Sequence, residues 1–240
     1  MQRNTTRTGL ARKQRHQRFA IRTWVDKLPD IPAFIIGNGP SLNDQPIDLL
    51  ENYLTIGTNR CFKKIDPVIL LWQDISLWTT EYHSLHNTQA LKVSRDVSDP
   101  RKIYYNFHLK GGEFKFDTEH THILYGRGST GPLAVQLAVA MGCRPIVLLG
   151  MDCKLGENKE TDFYGQNPSW TDSTIKNCFQ GLVFIKEQCP VEVINCSNNT
   201  LWQQENLDVV LNTIDKKHKR TRQSYVRQIL NLPEKNIDKY

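Results

Sequence analysis

Short apolar runs separated by polar stretches set the plan of this chain. Near-continuous runs at 33–37, 54–57, 67–72 and 146–150 read as buried strands. A strand covered on both faces has no polar alternation, and Pro67–Trp72 is apolar enough to be central. Further strands are expected at 90–94, 102–107, 123–125 and 191–195. Helices are expected at 16–28, 46–54, 75–86, 132–141, 174–188, 204–217 and 221–231. Residues 1–15 read as flexible, and polar loops are expected at 109–120 and from 152 to Trp170. Strands alternating with helices predict one α/β domain of Rossmann-like type, a mostly parallel sheet flanked by helices.

Two strands run into glycine turns. The first gives Gly37-Asn38-Gly39-Pro40-Ser41-Leu42, the second Gly126-Arg127-Gly128-Ser129-Thr130-Gly131. Glycine leaves room for a ligand near the main chain, and Ser41 suits the cap of a helix whose N–H groups face an anion. Pro132 suits the first turn of the helix after the second turn. The strand at 146–150 ends in Gly150-Met151-Asp152. In an open α/β sheet both turns and Asp152 fall on the carboxyl edge, where ligands bind. The second turn also satisfies Gly-x-Gly-x-x-Gly with an acid at the end of the next strand, so a nicotinamide or flavin enzyme is one reading. Against it stand the short preceding strand, flanked by His120 and His122, and the charge of Arg127 inside the turn.

Composition narrows the class. The chain has 240 residues, 39% hydrophobic and 23% charged, as for a soluble globular domain. No apolar run approaches the ~18 residues of a membrane span. The basic start lacks an apolar signal core, so a cytoplasmic location is expected. None of the six cysteines forms a Cys-x-x-Cys pair, so reduced, mostly buried thiols are expected. His83 with His86, and His120 with His122, have spacings that permit metal ligation but lack a third ligand of clear placement.

Charge divides the chain into a basic arm (1–24), an acidic body (25–215) and a basic helical extension (216–240). Residues 1–24 carry seven basic groups and no acid, and 216–227 carry six and no acid. Residues 25–215 hold 16 basic and 23 acidic groups. Basic ends on an acidic body point to a polyanion such as nucleic acid as a partner. The oligomeric state is left open.

Five motifs in order, over roughly residues 33–197, resemble a known superfamily. They are Gly37–Leu42, Gly57-Thr58-Asn59-Arg60, Arg127–Gly131, Gly150-Met151-Asp152 and Asp162-Phe163-Tyr164-Gly165. The set is similar to the bacterial sialyltransferases that use a cytidine-monophosphate sugar. It is equally similar to the related DUF115 proteins, which include an archaeal 6-hydroxymethylpterin pyrophosphokinase. The resemblance implies a small nucleotide donor held by Gly37, Asn38, Gly39, Ser41, Asn59, Ser129, Thr130 and Gly131. It implies that Tyr164 steadies the leaving phosphate and that Arg127 supports that phosphate or the acceptor.

The sequence departs from the sialyltransferases in having no histidine between His122 and His218, where they carry a general base. Asp162, or nearby Asp172, could take that proton. Alternatively Asp74 and Asp152 would hold Mg²⁺ for pyrophosphoryl transfer. Asp74 and Asp172 also suit plain helix caps. Trp170, in the long loop, is the best candidate to stack on a base, whereas Trp72 reads as core. The implied activity is transfer from a nucleotide-activated donor, above all a nucleotide sugar, with DNA modification as one outcome if the acceptor is nucleic acid. A Mg²⁺-dependent pyrophosphokinase and a non-catalytic nucleotide- or nucleic-acid-binding protein are the alternatives.

Overall fold

The computed structural model describes residues 21–233 apart from Lys102, Pro168 and Ser169. The segment expected to be flexible, 1–15, lies outside them, as does the start of the helix expected at 16–28. Eight strands form one sheet: β1 (Ala33–Ile36), β2 (Leu54–Thr58), β3 (Ile69–Trp72), β4 (Leu91–Arg95), β5 (Tyr105–Lys110), β6 (Ile123–Tyr125), β7 (Ile146–Leu149) and β8 (Val193–Asn195). Their order is β6-β5-β4-β3-β2-β1-β7-β8, and every pairing is parallel. Five α-helices connect them: α1 (Ile75–Asn87), α2 (Thr130–Ala140), α3 (Asp172–Gln188), α4 (Leu207–Thr213) and α5 (Arg222–Leu230). The expected Rossmann-like α/β fold is the one observed.

Some elements are shorter than their apolar spacing predicts. Among the described residues of the expected first helix, Ile21–Trp24 form one 3₁₀ turn. The expected helix at 46–54 is a 3₁₀ turn at Ile47–Leu50, squeezed between a 3₁₀ turn at Pro40–Asp44 and β2. Such tight turns serve where a connection is too short for a stable α-helix. The expected helix at 204–217 breaks after Thr213, where the Asp215 side chain accepts from the Lys217 N–H and starts a new 3₁₀ turn.

Side chains alternate between two cores with the two-residue period of a strand. Ala33 and Ile35 of β1 join Ile56, Ile69, Leu71, Ile146 and Leu148 under α2 on one face. Phe34 and Ile36 join Leu70, Trp72, Val147 and Leu149 on the other, beneath Leu42, Leu50, Leu77 and Val210. Helix α2 is buried on all sides. Its one long polar residue, Gln136, bonds both main-chain groups of Tyr125 (2.8 and 2.7 Å), satisfying the end of edge strand β6.

The basic C-terminal segment is built into this core as far as it is described. Tyr225 and Ile229 of α5 are fully buried in the α2-side core. Thr221 caps the helix and Asn231, left-handed at φ 52°, ends it. Arg222 pairs with Asp66 at 2.7 Å, Arg220 donates to Gln228, and Lys219 lies over the Tyr53 ring. Ile229→Ala is therefore expected to lower unfolding stability by about 2–5 kcal/mol, read from urea midpoints.

Strand order reverses at β1, which has β2 on one side and β7, from the second half of the chain, on the other. In open α/β sheets the crevice at such a switch point is where ligands sit.

Candidate functional site

A cleft of about 560 Å³ opens at this crevice. Gly37, Asn38 and Gly39 after β1, Asn59 and Arg60 after β2, Ser129, Thr130 and Gly131 at the start of α2, and Asp152 after β7 line it. Asp74, Asp162 and Tyr164 complete the expected set. Ser41, Arg127 and the alternative base Asp172 are not part of the lining. Ser41 lies behind it, bonded to Asp152, and Arg127 is exposed beside it. A larger hollow of about 750 Å³ runs beside β8 and carries none of the motif residues.

The glycines after β1 also bring that turn against the turn after β7. A Cβ on Gly37 would lie 2.2 Å from the Gly150 carbonyl oxygen. One on Gly39 would lie 2.4 Å from a carboxylate oxygen of Asp152. These residues let the β1 and β7 turns touch each other, and the Gly39 N–H donates to Gly150 (2.7 Å). Asp152 completes the joint. It accepts from the Ser41 N–H (2.8 Å), the Ser41 hydroxyl (2.5 Å) and the Asn198 N–H (3.1 Å).

Asn38 faces the cleft with one atom unused. Its amide NH₂ donates to the Thr58 carbonyl (3.0 Å) and hydroxyl (3.2 Å), which fixes which end is oxygen. Its Oδ1 is buried without a hydrogen-bond partner. A buried orphan acceptor is costly unless a ligand donor meets it. Across the cleft, Asn59 sits left-handed at φ 48° and accepts from the Thr130 hydroxyl (3.3 Å), which accepts from Gln73 (3.1 Å). Ser129 holds the N-cap position of α2 but makes no side-chain cap bond, so the first N–H groups of that helix remain for an anion.

The long loop after β7 is fastened over the site. Asp162 and Gly165 form a tight two-way hairpin (3.1 and 3.0 Å), with Gly165 at φ 117°. The Phe163 N–H donates to the Asn38 carbonyl (2.7 Å), and Asn43 donates to the Phe163 carbonyl (2.9 Å). The aromatic pair is thereby stapled to the first glycine turn. Asp162 is 3% exposed. Burial pushes its carboxyl above the usual range, against the pull of its bonds to Tyr164, Asn167 and Thr161. Burial, then the charge of Asp162, pushes the Tyr164 phenol up to about 12. The Arg60 guanidinium lies 5.9 Å from the Tyr164 ring centroid and pairs with Glu81 at 2.9 Å.

Arg60, Asn167 and the thiols of Cys153 and Cys178 also line the cleft, and no role in it was read for them from sequence. Arg60 had a signal, since it directly follows Asn59, one of the expected nucleotide contacts. Asn167 and the two thiols had none, because the fold alone brings them together. Trp170, expected to stack on a base, does line the cleft.

Asp74 and Asp152 do not suit a magnesium ion. Both oxygens of Asp152 are engaged by Ser41 and Asn198, and Asp74 lies in the field of Arg95 and Arg60. Among the described residues no group of three or more His, Cys, Asp or Glu is placed to hold a metal. Asp74 occupies the N-cap position of α1 without a capping hydrogen bond. Asp172 is exposed, and Thr171 caps α3 in its stead. The dinucleotide fingerprint at 126–131 lacks its structural context, because β6 and β7 are not neighbours and form no closed βαβ unit.

No family model matches the chain, and no curated protein matches it. Among solved structures it is similar to the sialyltransferase CstII from Campylobacter jejuni in complex with a substrate analogue, cytidine-5'-monophosphate. The identity is 15% over 72% of this chain and 82% of that chain, with a TM-score of 0.40. No described helix is long and apolar enough to cross a membrane.

Proposed function

We propose that this protein transfers a glycosyl group from a nucleotide-activated donor bound in the cleft. One observation carries the reading: five motifs scattered from Gly37 to Gly165 contribute to the walls of a single cleft at the switch point. Donor phosphate would meet the N–H groups of Thr130 and Gly131 at the start of α2, while the Ser129 N–H is held by the Arg127 carbonyl (2.7 Å). The unpaired Oδ1 of Asn38 would accept from a base amine or a ribose hydroxyl. Asp162, with its raised affinity for a proton, would take the acceptor's hydroxyl proton. The neutral phenol of Tyr164 would donate to the departing phosphate oxygen as charge builds there.

The pyrophosphokinase reading loses its proposed metal ligands, since Asp152 serves as the joint between turns. Nucleic acid as acceptor rests on the charge of the two ends alone. Part of that charge, at Lys219, Arg220 and Arg222, is used within the fold.

A thermal-shift panel of nucleotides and nucleotide sugars tests the site. A true ligand at 100 times its dissociation constant stabilises by about 2.7 kcal/mol, and Asn38→Ala is expected to erase most of that gain. No stabilisation by any nucleotide would sink the assignment. Binding with no release of nucleotide from any donor would favour the non-catalytic reading.

A further inference from the structure

Two thiols that the proposed reaction does not use face each other inside the cleft. Cys153 follows Asp152 on the β7 turn and is held left-handed at φ 52°. Cys178 lies on α3, against Ser129. Both line the cleft, and the two thiols are within hydrogen-bonding reach of one another. Of the remaining four, Cys61, Cys143 and Cys196 are buried and Cys189 closes the far end of α3.

We propose that Cys153 and Cys178 form a reversible disulfide, made by hydrogen peroxide, that ties α3 to the β7 turn and switches the cleft. The bond closes the segment between them, which carries Asp162, Tyr164 and Trp170. Cys178 is the attacking thiol, since its contacts with Cys153 and with Ser129 favour its thiolate against the opposing effect of burial. Its sulfur displaces water from the peroxide and becomes a sulfenic acid. The Cys153 sulfur then attacks that sulfur, and a second water leaves with the proton of the Cys153 thiol. Two thiols and one peroxide thus give one disulfide and two waters.

The effect on binding rests on the nucleotide reading of the cleft. Drawing Cys178 towards Cys153 takes it from Ser129, at the turn proposed to hold donor phosphate. Affinity for the nucleotide is expected to fall about tenfold, equivalent to one hydrogen bond to a charged group.

The full-length protein, treated with hydrogen peroxide and blocked with N-ethylmaleimide, is digested without reductant and its peptides weighed. The expected product joins the Cys153 and Cys178 peptides, two hydrogens lighter than their sum, and dithiothreitol reverses it. In Cys153→Ser the sulfenic acid of Cys178 should persist long enough to be trapped by dimedone. Full alkylation of both thiols after peroxide, or linkage to other cysteines, overturns the proposal. A linked protein that binds the nucleotide found by thermal shift as tightly as the reduced form overturns the switch. If neither form binds any nucleotide, the linked peptide still supports the disulfide and it is the functional reading that fails.

Discussion

Asp162→Asn is expected to lower turnover by roughly 10²–10⁴-fold while nucleotide binding and the fold persist. The argument is one of burial. A carboxyl with its pKa raised by desolvation is a stronger base than an ordinary aspartate. Turnover of the parent should therefore rise with pH through a limb lying above the usual aspartate value of about 3.9, and the variant should lack that limb. Tyr164, pushed up to about 12, keeps its proton and stays a donor across the physiological range.

The stability sign is opposite to that of a salt-bridged acid. The folded pKa is raised, so this group's contribution is fully present below the unfolded value and is lost as pH rises through the folded value. At neutral pH Asp162→Asn should thus unfold no more easily than the parent. A variant that is destabilised and keeps its acidic limb would assign Asp162 to structure instead of proton transfer.

Gly37→Ala is the second large effect, on stability. Its new methyl would sit 2.2 Å from the main-chain oxygen of Gly150, and no side-chain rotation relieves a clash with backbone. Overpacking of this kind costs about 1–3 kcal/mol, and the rigid sheet on both sides favours the upper end. Gly131→Ala is the control. Its methyl meets only the Sδ and Cε of Met151, at 2.6 and 2.2 Å, which can swing away. Urea midpoints should fall clearly more for Gly37→Ala than for Gly131→Ala. Shortening Met151 to Ala should relieve the second clash and leave the first untouched. Equal losses at both positions would show that the joint between the two turns is softer than its geometry.

The sheet was legible because its central strands are apolar on both faces, so Phe34–Ile36, Leu70–Trp72 and Val147–Leu149 announce themselves. The site was legible where short polar residues interrupt such runs at a carboxyl edge, as at Asn38, Asn59 and Ser129. What those residues touch was not. Gly39 reads the same whether a phosphate or another turn lies against it, and Asp152 reads the same as a metal ligand or as a clamp on Ser41. Arg127 matched a motif yet is exposed beside the cleft, while its neighbour Ser129 lines it. The C-terminal helix was read through its charge, although Tyr225 and Ile229 anchor it in the core. Charge marks the solvent side of a helix and is silent about the other.

The placement of β1 between β2 and β7 has a consequence during synthesis. Ala33 pairs with Ile146, more than one hundred residues further along the chain. At translation rates of 5–20 residues per second, roughly 6–23 s pass between the emergence of the two strands. For that time the sequence Ala33-Phe34-Ile35-Ile36 presents an open, wholly apolar edge of the kind that recruits other chains. The reversal of strand order that creates the cleft also makes the nascent protein dependent on fast synthesis or a holdase until β7 arrives.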